Sequence, residues 1–208
     1  MPSSDKLLSM TDARLHSPSV ERNRDPILAV LRPLLDGASS VLEIASGSGG
    51  HVVHFAAALP AITFQPTDPD DASRASIDAW AAASALANVR PAMALDVTAR
   101  PWPMENADAV ICINMIHISP WAATLGLMHG AAQVLRPGGL LFLYGPYRRD
   151  GAHTADSNEA FDRSLRGRNA AWGIRDLEDV AQAAAAEGFG APTIVAMPAN
   201  NLSVTFRR

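Results

Sequence analysis

One cysteine in 208 residues, Cys112, excludes an internal disulfide framework and suits a reducing cytoplasm, the expected location of this chain. It lies in the apolar run Ala109–Ile113, where a buried, inert thiol is expected rather than a nucleophile. No apolar stretch approaches the roughly 18 residues of a membrane span, so no membrane association is expected. The opening Met-Pro-Ser-Ser-Asp-Lys lacks the basic-then-apolar order of a secretion signal. Positive charge is also scarce. A net charge of −4 counts against a nucleic-acid partner, since binding phosphate needs a positive surface. The six histidines form no Cys/His cluster and no His-x-x-x-His pair, so no metal is expected. No internal repeat occurs either. What remains is a 48% hydrophobic chain of a length that suits one domain, residues 1–208, as a monomer or homodimer.

The informative segment is Val41-Leu42-Glu43-Ile44-Ala45-Ser46-Gly47-Ser48-Gly49-Gly50-His51. An aliphatic run carries an acidic residue, passes through a small-residue loop and opens an Ala-rich segment. That reads as strand, tight turn and helix, the arrangement with which α/β folds hold nucleotide-type cofactors. Dinucleotide sites instead place their acid about 20 residues later and carry a third glycine, and here that position is Val52. A carboxylate at the loop repels pyrophosphate but suits a cofactor with an ammonium group, such as S-adenosylmethionine.

The chain around this segment alternates strand and helix patterns. Asp25-Pro26 reads as the cap and first residue of a helix Ile27–Leu35. Strands are expected at Val41–Ile44, Ile62–Thr67, Arg90–Ala94, Ala109–Ile113 and Leu140–Tyr144. Helices are expected at His51–Leu59, Ala72–Leu86, Trp121–Leu135 (capped by Ser119-Pro120) and Asp176–Glu187. Arg136-Pro137-Gly138-Gly139 reads as a turn. Pro66 cannot donate to a ladder and is placed at a strand's end. Thr193–Ala196 and Leu202–Arg207, joined by a short turn, imply an antiparallel pair. The class is therefore α/β: a three-layer sandwich around a seven-stranded, mostly parallel Rossmann-like sheet with a final antiparallel strand. Residues 1–38 form an N-terminal cap segment and helix, and the polar stretch 145–175 forms a lid-like insertion.

From residue ~39 onward the chain resembles class I S-adenosylmethionine-dependent methyltransferases. Within them it is similar to the methyltransferase-like protein 26 family and its bacterial relatives. The closer likeness rests on Asn114-Met115-Ile116-His117-Ile118-Ser119-Pro120-Trp121, Gly145-Pro146-Tyr147, Asn158 to Asp162, Leu165-Arg166, Trp172-Gly173-Ile174-Arg175-Asp176, Met197-Pro198-Ala199-Asn200-Asn201 and Glu21-Arg22-Asn23. The resemblance implies cofactor contacts from Glu43, Ala45, Gly47, Gly49, Asp68, Asp96, Val97 and Asn114. In that reading Glu43 faces the ammonium, Asp68 the ribose hydroxyls, Asp96 the adenine amino group, Val97 the ring and Asn114 the methionine end. Ala45 replaces the usual first glycine, and Asp70 competes with Asp68 for the ribose.

Activity then means transfer of a methyl group to an oxygen or nitrogen of a small polar, possibly anionic, molecule, leaving S-adenosylhomocysteine. His117, three residues after Asn114, is the candidate base; shaping the loop is its other reading. Asn23, Tyr144, Tyr147, Arg166, Trp172, Arg175 and Asn200 are the expected acceptor-side residues. The arginines either bind an anion or brace the lid against Asp150, Asp156, Asp162 and Asp176. Two further functions stay open: a catalytically silent protein that binds S-adenosylmethionine as a regulator or partner, and a nicotinamide-dependent oxidoreductase.

Overall fold

The computed structural model describes residues 12–208, and the opening segment without signal character lies outside them. In chain order it has helix α1 (Pro18–Leu34), β1 (Ser40–Ile44), α2 (Gly50–Ala58), β2 (Thr63–Pro66), α3 (Asp71–Ala83) and β3 (Ala107–Ile113). A 3-10 turn (Met115–His117), α4 (Trp121–Val134) and β4 (Leu135–Gly145) follow. The small hairpin β5 (Arg148–Arg149) and β6 (Ala152–His153) precedes α5 (Asp156–Arg168), α6 (Leu177–Ala186), β7 (Thr193–Met197) and β8 (Asn201–Arg207). The main sheet has the order β2-β1-β3-β4-β8-β7. Its first four strands are parallel, and β8 alone is reversed, pairing antiparallel with β4 and β7.

Side chains alternate across this sheet and make two cores. Val41, Ile111 and Phe142 pack beneath Ile27 and Leu31 of α1, Val52 and Phe55 of α2 and Ile77 of α3. Leu42, Val110 and Leu141 face Leu127 and Met128 of α4 and Leu177, Val180 and Ala184 of α6. That is the three-layer Rossmann-like sandwich, with six strands instead of seven. Residues 88–93 only bridge the β2 edge, pairing Val89 with Phe64 and Met93 with Thr67. Pro91 sits between them and has no N–H to continue a ladder.

Other expectations are corrected. α1 begins after Ser17 with Pro18 at its start and runs through Pro26, which is therefore no first residue. An internal proline costs ~3 kcal/mol. Burial of Val20, Ile27 and Leu31 on one helical stripe returns ~1.5–3 kcal/mol each, so packing wins. The Arg136–Gly139 turn lies inside β4 as an irregularity, where the partner of Ala107 is Leu135 but that of Ala109 is Leu140. The polar stretch 145–175 holds a helix, α5, that its sparse apolar residues did not announce. Ser119 does not cap α4; its hydroxyl donates back to the Met115 carbonyl at 2.8 Å. No helix among the described residues is long and apolar enough to cross a membrane.

Candidate functional site at the carboxyl edge of the sheet

Parallel strands end their ladders at one edge, where loops must redirect the chain and leave polar groups for a ligand. After β1 the chain reverses within a few residues. Ala45, Gly47 and Gly49 all take left-handed backbone, at φ 54°, 57° and 87°. For Ala45 this conformation costs ~1–2 kcal/mol through its methyl group, which is why glycine is the usual residue there. Gly49 is required twice over, because a Cβ there would also lie 2.8 Å from the Ile77 backbone. The loop is pinned to the end of β2. Ser46 N–H donates to the Thr67 carbonyl at 2.8 Å, and the Thr67 hydroxyl donates to the Glu43 carbonyl at 2.8 Å. Asp68 accepts Gly47 N–H at 2.9 Å through one carboxylate oxygen and Asp70 N–H at 3.0 Å through the other. Asp68 thus faces the loop. Asp70, its competitor, caps α3 by accepting Ser73 N–H at 2.8 Å and is exposed.

Glu43 is 2% exposed, and its Oε2 has no hydrogen-bond partner. Burial pushes its carboxyl up to about 7; the nearby Asp68 charge adds to this and the Ser46 hydroxyl opposes it. A buried carboxylate with an unmet lone pair either binds a cation or takes a proton. Across the edge, Asp96 is exposed and folds one oxygen onto Thr98, accepting its N–H at 2.8 Å and its hydroxyl at 2.7 Å. Val97 beside it is buried. Asn114, at φ 61°, donates its N–H to the Tyr144 carbonyl at 2.8 Å and so joins the ends of β3 and β4.

A second pair meets near the start of α2: Asn23 of α1 and His51 of α2 are buried, and Asn23 Oδ1 lies 2.7 Å from His51 Nε2. Tyr144, at the end of β4, is buried in the core layer that α1 and α2 cover. His51 was absent from the expected site. Its only signal in the sequence was its place directly after the glycine loop.

The third group centres on His117, which has no exposed surface. Its Nδ1 faces Arg175 N–H at 3.4 Å, and its ring meets Tyr147 edge-on at 5.1 Å. Gly145 packs so closely that a Cβ there would fall 2.5 Å from Nε2. Burial lowers His117 to about 3, with the Arg175 charge assisting and Asp162 opposing. Burial therefore keeps this imidazole neutral, and its Nε2 has no hydrogen-bond partner. Tyr147 is fully buried, and burial raises its phenol.

The arginines expected to bind an anion are engaged elsewhere. Arg175 donates to the backbone carbonyls of Ile116, Ser119 and Ala171 at 2.9, 2.5 and 3.0 Å. Arg166 pairs with Asp162 at 2.9 Å, and the other Asp162 oxygen accepts Ile174 N–H at 2.7 Å. Asp162 is thus the hub of this stretch; its four-residue spacing to Arg166 on one helix was the available hint. Trp172 is partly exposed and stacks with Arg168 at 5.4 Å. Asn200 is exposed in the β7–β8 turn, with its carbonyl accepting from Asn158 at 3.0 Å. Neither Trp172 nor Asn200 is brought to Glu43 or Tyr144 by any hydrogen bond the structure shows.

The fold matches solved structures over nine-tenths of the chain. An S-adenosylmethionine-dependent methyltransferase, SibL, aligns over 91% of this chain and 55% of its own, at 20% identity and a TM-score of 0.75. An O-methyltransferase family protein from Burkholderia thailandensis aligns over 90% and 59%, at 17% identity and 0.74. Human N-acetylserotonin methyltransferase, solved in complex with SAM, aligns over 91% and 52%, at 13% identity and 0.74. The chain therefore spans little more than half the length of each. At such identities the likeness shows the fold, an α/β Rossmann-like methyltransferase fold. A family model covers residues 14–208, nearly the whole chain, and by that match the protein belongs to the family described as "Protein of unknown function (DUF938)".

Proposed function

We propose that this chain binds S-adenosylmethionine and transfers its methyl group to an oxygen or nitrogen atom of a small polar molecule, leaving S-adenosylhomocysteine. The observation that carries the reading is Glu43: buried, at the glycine loop, with one oxygen unpartnered. Such a group suits the cofactor's ammonium and opposes a pyrophosphate, which disfavours the nicotinamide alternative. The remaining residues fit the same group. Each Asp68 oxygen accepts one backbone N–H and keeps a lone pair for a ribose hydroxyl. Asp96 has one oxygen outside its turn for the adenine amino group, Val97 offers an apolar surface, and Asn114 borders the methionine end. Kinship with the methyltransferase-like protein 26 family belongs to this proposal and rests on the segments quoted above.

When bound, S-adenosylmethionine supplies a methyl group already activated by its sulfonium. The chain's own task is then to hold the acceptor in line and to exclude water. Tyr144, at the end of β4, packs in the core layer under α1 and α2, and Tyr147 and His117 are buried ring against ring behind the strand ends. Arg175, through its three carbonyl bonds, fastens the stretch after α5 to the loop after β3.

Isothermal titration with S-adenosylhomocysteine tests the cofactor reading. Wild-type protein is expected to bind in the micromolar range, and Glu43→Gln at least tenfold more weakly. Absence of binding at millimolar concentration sinks the reading. Tight binding with no methyl transfer to any acceptor would instead mark a silent binding protein.

A further inference from the structure

Helix α1 carries a cation that folding leaves without a partner. Among the described arginines, Arg22, Arg24, Arg90 and Arg168 take part in no side-chain hydrogen bond or ion pair that the structure shows, and of these only Arg24 is half-buried. The Arg24 Nε is itself closed off from solvent and has no hydrogen-bond partner. A guanidinium stays charged at any pH the protein survives, so it cannot escape burial by shedding a proton. That N–H can be met only by an acceptor that enters from outside the described chain.

Arg24 lines a cavity of about 270 Å³ enclosed by α1, α2, α3 and the segment before α1. Val20, Val53 and Trp80 supply apolar wall, and His16 and His54 line it as well. Hydrogen bonds hold these walls in place. Leu15 N–H donates to Ser76 Oγ at 2.8 Å, the Ser76 hydroxyl donates to the Ser48 carbonyl at 2.7 Å, and Trp80 Nε1 donates to the Leu15 carbonyl at 2.9 Å. The cavity is thus fastened to the glycine loop, yet Glu43, Asp68, Asp96 and Asn114 do not line it. Its permanently charged or acidic lining groups are Arg24 and Glu21. Glu21 is exposed and screened by water, whereas Arg24 is half-buried, so the field inside is that of the guanidinium. Asp25, the next carboxylate on α1, is exposed and lies 2.9 Å from His54 Nε2, without the alignment of a hydrogen bond. Burial lowers His54, with the Asp25 charge opposing and the Arg24 charge assisting, so the guanidinium is felt on α2.

We propose that this cavity is a further binding site, one for a small carboxylic acid with an apolar body, and that Arg24 anchors its carboxylate. The planar guanidinium presents Nε–H and an Nη–H side by side, at the spacing that a carboxylate meets with both oxygens. Val20, Val53 and Trp80 cover the body of the guest. The volume lies just below the range of roughly 300–1,000 Å³ typical of ligand pockets, which limits the guest to a small molecule. A second negative charge would meet Glu21, so a monoanion is preferred to a phosphate monoester. The site is independent of methyl transfer and holds its acid whether or not the cofactor reading stands.

Nuclear magnetic resonance titration of the full chain with benzoate, hexanoate, benzamide and phenyl phosphate tests this. It is read at the tryptophan indole N–H signals, that of Trp80 being identified by its loss in Trp80→Phe. Benzoate or hexanoate is expected to bind with a Kd below about 1 mM and to shift the Trp80 signal. Benzamide, neutral but shaped like benzoate, should bind at least about tenfold more weakly, and phenyl phosphate more weakly than benzoate. Arg24→Gln should weaken the acid at least about tenfold, and Arg24→Lys, which keeps the charge but loses the fork, by less. Arg22→Gln, outside the cavity, should change it less than about twofold. Since the Arg24 guanidinium fastens nothing else, Arg24→Gln should keep its Tm within about 2 °C of wild type. If that variant fails to fold, the benzoate–benzamide difference and Arg24→Lys still decide. The proposal is overturned by no binding of either acid at about 10 mM, by benzamide equal to benzoate, or by phenyl phosphate tighter than benzoate. An unmoved Trp80 signal or unchanged affinity in Arg24→Gln overturns it equally.

Discussion

Between β1 and α3 the charged groups at the strand ends lack charged partners, whereas between β4 and α6 they are matched to one another or to the backbone. Glu43 is buried with a lone pair unmet, and Asp68 is held only by amides. In the later stretch Asp162 meets Arg166 and Ile174 N–H, Arg148 meets Asp176, Arg149 meets Glu178, and Arg175 meets three carbonyls. Tyr147 Oη, His153 Nδ1 and Arg148 Nε are buried without a partner there as well, but the Arg148 guanidinium still meets the Gly151 carbonyl at 2.6 Å and Asp176 at 3.5 Å through Nη2. On the proposed reading, the contrast separates residues that meet a ligand from residues that hold the protein together. Arginines in a polar stretch are easily taken for anion ligands, and the deciding question is whether their donors are already engaged.

The sharpest way to break this contrast is Asp162→Ala. It strips Ile174 N–H and Arg166 of their acceptor and should cost about 3 kcal/mol, a fall in Tm of about 6–12 °C by calorimetry. Affinity for S-adenosylhomocysteine should stay within a few fold. A large loss of affinity at unchanged Tm would place Asp162 in the site instead.

Glu43→Gln should behave in the opposite manner. Cofactor affinity falls by about 10- to 100-fold while the unliganded protein is no less stable at neutral pH, since a neutral amide replaces a carboxylate that burial disfavours. Chemical denaturation and titration calorimetry separate the two readouts, and loss of both stability and affinity would make Glu43 a structural residue.

The same carboxyl gives a pH dependence with a definite sign. Its ordinary value of 4.5 is raised to about 7 on folding, so the native state holds more protons than the unfolded one between these values. Stability of the unliganded protein from this group therefore falls as pH rises from 4.5 to about 7, by up to about 3 kcal/mol. Cofactor affinity should rise with pH over the window, about fivefold between pH 6 and pH 7. A flat affinity profile from pH 5 to pH 8 would contradict an ammonium–carboxylate contact.

The smallest effect is expected from Ala45→Gly. Removing the methyl at φ 54° relieves left-handed strain, and the added freedom of the unfolded chain cancels part of the gain. A net change within about 1 kcal/mol and unaltered cofactor affinity are expected. A marked gain in affinity would show that the methyl stands in the cofactor's way.

Much of the frame is written locally. The strand–loop–helix around Glu43 declares itself because alternation, glycine and helix-forming alanine all occur within a dozen residues. Asp68 is found by its place just after a strand. α5 escaped notice because Asp156–Arg168 buries only Asn158, Asp162 and Leu165, too thin an apolar stripe to signal a helix. The true start of α1 was hidden by Pro26, which reads as a beginning when the burial of Val20 and Asn23 is unknown.

The sequence by itself therefore determined the layered α/β fold, the glycine loop and the place of the acidic residue proposed to meet a cationic cofactor, because each depends on neighbours a few residues apart. Only the tertiary structure decided which charges are unpaired. Asn23, His51 and Tyr144 come from α1, α2 and β4, and Asp162, Arg175 and His117 from three further segments. Whether a histidine is basic or an arginine is available depends on desolvation and on partners that folding alone brings within hydrogen-bonding distance.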